Sequence, residues 1–321
     1  MKLMQKLLNK FNGLHYPQEY LCLGPAPEQL LHAYLCHGFK ITKDISDLHA
    51  FVGYHPLVFA VPTDLAANED FIEIVFIPRS LQPNDIFSKK DAIARLWLQK
   101  IRTPGFECPG ATFFEGTRGE HSFISPVHQF IVGLGNRLYN RKKGNVFLHD
   151  NLYNQVQVAY SLPRNISLIT VQQGNNFNLF PTDLHGQMDG TNYIISLRFA
   201  GKACRQVENA GKLLLTQVEP AFYRTVYALG KNHMQELKPA QHFPFSGQLS
   251  QLLQLPVPSS GLSYRELELC DTFNHGIHKL MHFKVLNRQT LTTDRHPLSH
   301  VHNVYATWLY NKGLPGNYLL R

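Results

Sequence analysis

The sequence predicts an α+β, mainly β protein in which a mixed α/β region, residues 1–143, precedes a small antiparallel β-barrel, residues 144–321. Three observations carry that expectation. A chain of 321 residues exceeds what one small core needs, so two domains, or one large one, are favoured. Short apolar, β-branched and aromatic runs recur along it, punctuated by Gly, Pro, Asn and Asp. In the second half the helical stretches are brief and sit between strand-like runs, and closing such an antiparallel sheet into a barrel removes its edges.

Met1 to Leu14 spaces Lys2, Lys6 and Lys10 against Leu3, Leu7, Leu8 and Phe11, with no continuous apolar stretch and no small-residue cleavage site. That pattern predicts a helix docked on the protein's own core, with a membrane-surface anchor as the alternative, and not a signal peptide. Pro27 to His37 predicts a helix, with Leu30, Leu31, Tyr34 and Leu35 on one side and Gly38 past its end. Leu57 to Val61 and Phe71 to Ile77 predict strands. Ser88 and Asp91 form an S-x-x-D capping box before Ile93, Leu96 and Trp97, which predicts a second helix. Pro104 to Glu120, rich in Gly and Pro, predicts an extended loop. Gly133-Leu134-Gly135-Asn136-Arg137 is no dinucleotide loop, because Leu138 stands where the third glycine belongs. The charged stretch Arg137 to Asn145 marks the domain boundary.

Beyond it, Ile166 to Val171 and Phe177 to Phe180 predict a hairpin around the polar turn Gln172 to Asn176. A loop, Pro181 to Gly186, leads to a third strand at Tyr193 to Phe199. Ala203, Val207 and Ala210 fall at helical spacing within Lys202 to Ala210, Gly211 ends that helix, and Leu213 to Val218 resumes a strand. A short helix, Phe222 to Leu229, stops at Gly230. The tetrapeptide Pro62-Thr63-Asp64-Leu65 recurs at Pro181 to Leu184, a match short enough to be chance.

With 44% hydrophobic and 17% charged residues the chain can bury a core, and no run approaches the ~20 apolar residues of a membrane span. Five cysteines, scattered and odd in number with no C-x-x-C pair, fit a reducing, cytoplasmic compartment. The net charge of +8 is spread out: residues 1–143 carry 16 basic and 13 acidic groups, residues 144–321 carry 15 and 10. Only Arg137, Arg141, Lys142 and Lys143 form a run, so nucleic acid is not the expected partner.

Four segments of the second half resemble the flavin reductase-like FMN-binding split-barrel family: Ile166 to Val171; Asn178-Leu179-Phe180-Pro181-Thr182-Asp183-Leu184-His185-Gly186; Ile194 to Arg198 with Gly201-Lys202-Ala203; and Gly276-Ile277-His278-Lys279-Leu280. The resemblance implies a split barrel, an FMN cofactor, NAD(P)H as electron donor, and a homodimer with the site at the subunit interface. It also implies that the loop after the hairpin holds the isoalloxazine and the strand-to-helix turn holds the phosphate. Departures are Ala203, where Thr or Ser is common, Ile277, where Asp is common, and Phe283, where a small residue is common.

The residue chemistry agrees at two points. A phosphate is best held by cations and by amides at a helix start, where Ser196, Arg198, Lys202 and the amides of Ala203 and Cys204 would converge. A flavin ring needs polar partners and an apolar wall, which Asn178, Thr182, Asp183 and His185 with Leu179, Phe180 and Leu184 supply. The bland alternatives are solvated charges at Arg198 and Lys202, a turn capped by Asp183, and Asn178 bonded to backbone. By the resemblance His278 stands on the substrate side as the candidate catalytic residue; otherwise it is a core histidine.

Ten of the 17 histidines follow position 144, and His275, His278, His282 and His296, His300, His302 raise a metal reading. On a strand, however, His278 and His282 lie about 13 Å apart, too far to share an ion. No G-x-S-x-G occurs and Cys108 has no identifiable base. The expectation is an FMN-binding, NAD(P)H-dependent oxidoreductase passing electrons to a small-molecule acceptor. A flavin-binding module without turnover is the rival, and a metal protein the third reading.

Overall fold

In the computed structural model of the chain, residues 11–24, 31–101, 110–139, 146–314 and 316–319 are described. Strand β1 (Tyr20–Leu23) precedes β2 (His32–His37), β3 (Lys40–Asp44), β4 (Ala50–Tyr54), β5 (Leu57–Pro62), the single-turn helix α1 (Thr63–Ala66), β6 (Phe71–Ile77), β7 (Ala94–Lys100) and β8 (Ala111–His121). Strands β2 to β8 form a seven-stranded antiparallel sheet in the order β3-β2-β6-β7-β8-β5-β4. Helices α2 (Pro126–Tyr139) and α3 (Asn151–Ala159) follow.

The second half comprises β9 (Arg164–Asn165), β10 (Ser167–Gln173), β11 (Asn176–Thr182), β12 (His185–Gln187), β13 (Asn192–Arg198), α4 (Lys202–Ala210), β14 (Lys212–Val218), α5 (Tyr223–Leu229), β15 (Lys238–Pro239), β16 (Phe245–Leu249) and β17 (Pro256–Pro258). It ends with β18 (Gly261–His275), β19 (His278–Thr290), β20 (Ser299–His302), α6 (Asn303–Asn311) and β21 (Tyr318–Leu319). Its eight-stranded antiparallel sheet runs β12-β13-β19-β18-β14-β10-β11-β15. A small sheet, β21-β1-β20-β9, ties the two ends of the described chain together. Mostly β, with antiparallel sheets, is therefore the architecture. The predicted strands at 57–61, 71–77, 166–171, 177–180, 193–199 and 213–218 all form, as do the helices at 202–210 and 222–229.

Three predicted elements of the first half are corrected. The helix expected over Pro27 to His37 is strand β2, residues 25–30 lying outside the described ones. Both faces of β2 are covered: Leu31, Ala33 and Leu35 join one core, while Tyr34 joins Ile41, Val75, Ile77 and Phe87 in another. A strand buried on both faces has a continuous apolar run with no period to read. Gly38, read as a helix stop, instead turns the β2–β3 hairpin at φ +61°.

The helix after Ser88 is strand β7. The capping bonds do form, Ser88 donating through N and Oγ to Asp91 Oδ2 at 2.7 and 2.9 Å, but they close a turn. Ala94, Leu96 and Leu98 then alternate inward, with Trp97 outward beneath Arg118. The loop expected over Pro104 to Glu120 is largely strand β8, residues 102–109 lying outside the described ones. Its glycines are close-approach positions: a Cβ on Gly119 would lie 2.7 Å from Gln155 Cα, and one on Gly116 would lie 2.2 Å from Gln155 Oε1. Gly133 to Arg137 lie within α2. The helix expected in Met1 to Leu14 falls mainly on residues 1–10, outside the described ones.

One apolar core joins β1, the first sheet, α3 and α6 through Leu21, Phe51, Phe59, Phe76, Val156 and Val304. A second joins the larger sheet to α4 through Ile169, Phe180, Ile195, Leu215, Met281 and Phe283, with Ala203, Cys204 and Val207 of the helix. The two sheets meet where Ala50, Val52, Val58 and Phe113 pack on Met188, Ile194 and Leu280. Contact there is close, since a Cβ on Gly186 would stand 2.4 Å from Ala50 Cβ and one on Gly276 2.1 Å from His55 O. This seam positions the site, because it delivers Tyr54 to the end of β13.

Candidate functional site

A cavity of about 620 Å³, within the range of small-molecule sites, opens where β11, β13, the turn into α4 and the start of β19 converge. Thr182, Asp183 and Leu184 line one side, and Ser196, Leu197 and Arg198 the floor. Gly201, Ala203 and Cys204 stand at the helix start, and His278 and Tyr54 join the lining beside Ser196 and Arg198. Of the eight residues singled out in the sequence, Thr182, Asp183, Ser196, Arg198 and His278 line this cavity.

The other three sit elsewhere. Lys202 follows Gly201 at the mouth, where its Nζ meets Glu236 Oε1 at 2.6 Å, both side chains exposed. Asn178 is buried and ties three elements together. Its Nδ2 donates to Gln206 Oε1 (2.6 Å) and Asn232 O (3.0 Å), and its Oδ1 accepts from Leu179 N (2.8 Å). His185 is held away from the cavity by Tyr193 Oη (Nδ1, 2.7 Å) and Asn165 O (Nε2, 3.1 Å), and burial pushes it down to about 4.

Helix α4 begins without a side-chain cap on Gly201, so its leading amides have no partner within the helix. Those of Ala203 and Cys204 belong to cavity-lining residues, which gives the cavity one donor-rich end. Arg198 stands beside it, its guanidinium 5.3 Å over the Tyr54 ring and its Nε donating to Tyr54 Oη.

The lining also carries an anion, Asp183. Burial alone would raise the Asp183 carboxyl. His300 Nε2, 2.7 Å from Oδ2, and Tyr160 Oη, donating to Oδ2 at 2.6 Å, more than offset that and hold it well below the usual carboxylate range.

His278 is neutral: burial, and then Arg198, push it down to about 3. Its Nε2 accepts from Tyr54 N at 3.5 Å, which puts the proton on Nδ1, 3.2 Å from Ser196 Oγ. A ring that donates to Ser196 is not poised to take a proton from it, so the pair is not arranged as a nucleophile and its base. His233 closes the floor through Pro181 O (2.8 Å).

Among the described residues no cluster of three His, Cys, Asp or Glu side chains could hold a metal. His275 pairs with Glu115 at 2.7 Å and His282 with Asn192 Oδ1 at 2.7 Å, on separate parts of the β18–β19 hairpin. No described helix is long and apolar enough to cross a membrane. Sequence reasoning missed Tyr54, Tyr160 and His233 and read His300 only as a candidate metal ligand. No local signal marks them, since each is an ordinary strand or helix-end residue until the fold brings it in.

No family model matches the chain. No curated protein matches it either. Among solved structures it is similar to an FMN-binding protein from Thermus thermophilus with bound 1-cyclohex-2-enone, at 15% identity over 43% of this chain and 80% of that one, TM-score 0.36. It is likewise similar to an NADH:FAD oxidoreductase of Streptomyces globisporus, at 10% identity over 47% of this chain and 89% of that one, TM-score 0.41. A third is the styrene monooxygenase flavin reductase of Pseudomonas putida, at 14% identity over 46% of this chain and 92% of that one, TM-score 0.37.

Proposed function

We propose that the cavity binds FMN and that the chain is a flavin-dependent oxidoreductase drawing electrons from NAD(P)H. The observation that carries this reading is the donor-rich end of the cavity, where the uncapped start of α4 and Arg198 flank one pocket of cofactor size. A phosphomonoester, carrying close to two negative charges, matches that end. The residues present fit the group, the loss of a hydroxyl at Ala203 leaving its amide in place.

On this reading Arg198 and the amides of Ala203 and Cys204 bind the phosphate, Thr182 and Leu184 receive the ring, and Lys202 adds positive charge at the mouth. Neutral His278, fixed by Tyr54 N and Ser196, offers the reacting region an uncharged polar wall. Bound flavin would supply two-electron chemistry with a nicotinamide donor and a small-molecule acceptor. We read the eight-stranded sheet as the split barrel of the family that the four segments resemble. A homodimer belongs to the same resemblance, and the scattered cysteines support a cytoplasmic setting.

The test is a titration of the purified chain with FMN, followed by absorption near ~450 nm, the flavin's own band, and by the shift in Tm. Binding with saturable NAD(P)H oxidation is the expected result. A protein that neither binds FMN nor gains stability from it would end the reading. Yellow protein without turnover would favour the second reading, a flavin-binding module, to which Ala203 and Ile277 already point.

A further inference from the structure

Resting on the flavin reading, we infer that Asp183 is the specificity determinant of the cavity, selecting a ligand edge that carries an imide-type N–H, and that His300 and Tyr160 are the positioning residues that keep it an acceptor. Asp183 lines the same cavity as Arg198 and the start of α4. Its Oδ2 is committed twice, to Tyr160 Oη at 2.6 Å and to His300 Nε2 at 2.7 Å. Among the described residues no hydrogen bond is formed to Oδ1, and Asp183 is one of the residues lining the cavity. An ionised carboxylate only accepts, so a carbonyl or an anion placed against it is repelled and an N–H is rewarded.

The support for this carboxylate comes from outside the strands that line the cavity. Tyr160 caps the C-terminal end of α3, and His300 sits on β20. His300 Nδ1 lies 3.5 Å from Tyr227 Oη on α5. Tyr20 of β1 covers both, its ring 5.0 Å from that of Tyr160 and 5.7 Å from that of His300. Two side chains from two elements thus meet one oxygen, with two further elements packed around them, more than a turn-capping aspartate requires.

The consequence is a cavity with an axis. A cationic, amide-rich group and a carboxylate share one lining, so a ligand bearing phosphate at one end and an N–H flanked by carbonyls at the other is held in one orientation. FMN has that layout; methylating its imide nitrogen replaces the N–H with a methyl group, so the variants are needed to separate a lost hydrogen bond from added bulk.

The experiment measures dissociation constants of FMN and 3-methyl-FMN for the wild-type chain, Asp183→Asn, His300→Gln and Tyr160→Phe by flavin fluorescence, with Tm as the folding check. Wild type is expected to prefer FMN by roughly 10- to 100-fold, the range of hydrogen bonds to a charged partner. Asp183→Asn should lose most of that preference, and His300→Gln and Tyr160→Phe part of it. A merely structural role would weaken both ligands equally and leave the ratio intact. If wild type binds both flavins alike, the inference fails while the flavin reading stands; if it binds neither, the flavin reading itself fails. Should Asp183→Asn not fold, the change of the ratio in His300→Gln and Tyr160→Phe decides.

Discussion

The two large sheets bury different chemistry. Across β2 to β8 the buried polar residues are Thr112 and His121, set among Phe51, Phe59, Phe76, Phe114, Leu96 and Ile74. The eight-stranded sheet buries Ser167, Thr170, Asn178, Thr182, Ser196, Thr216, Glu266, His278 and His282. Buried polar groups cost stability unless they find partners, so a sheet that keeps this many has been shaped by something besides burial. Glu266, fully buried, shows the cost being met: it accepts from Leu252 N, Leu253 N and Asn287 Nδ2. The first sheet stabilises, lending Tyr54 across the seam, while the second holds the cavity.

Three further measurements press on that contrast. The largest effect should come from Phe59→Ala in the first sheet. This ring is fully buried, packs on Phe51 at 5.6 Å and lies under the Arg164 guanidinium at 5.6 Å. Urea unfolding should show a loss of about 3–5 kcal/mol, with FMN affinity of the folded fraction unchanged. A selective loss of FMN binding would contradict the division of labour.

Next comes acid sensitivity. Burial pushes His121 down to about 4 and His278 down to about 3, one histidine on each sheet. Both are neutral in the fold, whereas an unfolded histidine protonates near pH ~6.5. Their stabilisation is therefore complete above about pH 6.5 and is lost as pH falls from there toward the folded values, on the order of 1.4 kcal/mol per pH unit for each. His121→Gln should flatten the acid limb of a urea-midpoint curve without touching FMN binding, and His278→Gln should flatten it and alter binding too. Identical limbs in wild type and both variants would refute the assignment.

The smallest effect belongs to Lys202→Ala. Its partner Glu236 is exposed, so stability should move by less than about 0.5 kcal/mol. FMN affinity should fall modestly, and its dependence on salt should weaken.

Much of the second sheet was legible because its information is local. The hairpin at Gln172 to Asn176 turns on Gly174 at φ +58°, and α4 ends on Gly211 at φ +63°, as the residues predict. The first half misled where one local signal competed with another: the Ser88–Asp91 pair is as good a turn as a helix start, and the glycines of β8 look like a loop until α3 is laid over them. Five of the eight site residues share the cavity because the fold brings together the segments that carry them, at 182–183, 196–198 and 278. Asn178 and His185 are adjacent to it in sequence yet point into other contacts.

By itself the sequence determined four strands of the eight-stranded sheet, β10, β11, β13 and β14, the turn at Gly174, and that a helix starts beside Arg198, since alternation, turn conformations and missing caps are properties of neighbouring residues. Only the tertiary structure decided that Tyr54 meets His278, that Asp183 is held as a carboxylate by Tyr160 and His300, and that His185 is occupied elsewhere. Those outcomes depend on distances between residues far apart in the chain, and on a burial that changes the proton affinity of each group once its neighbours are in place.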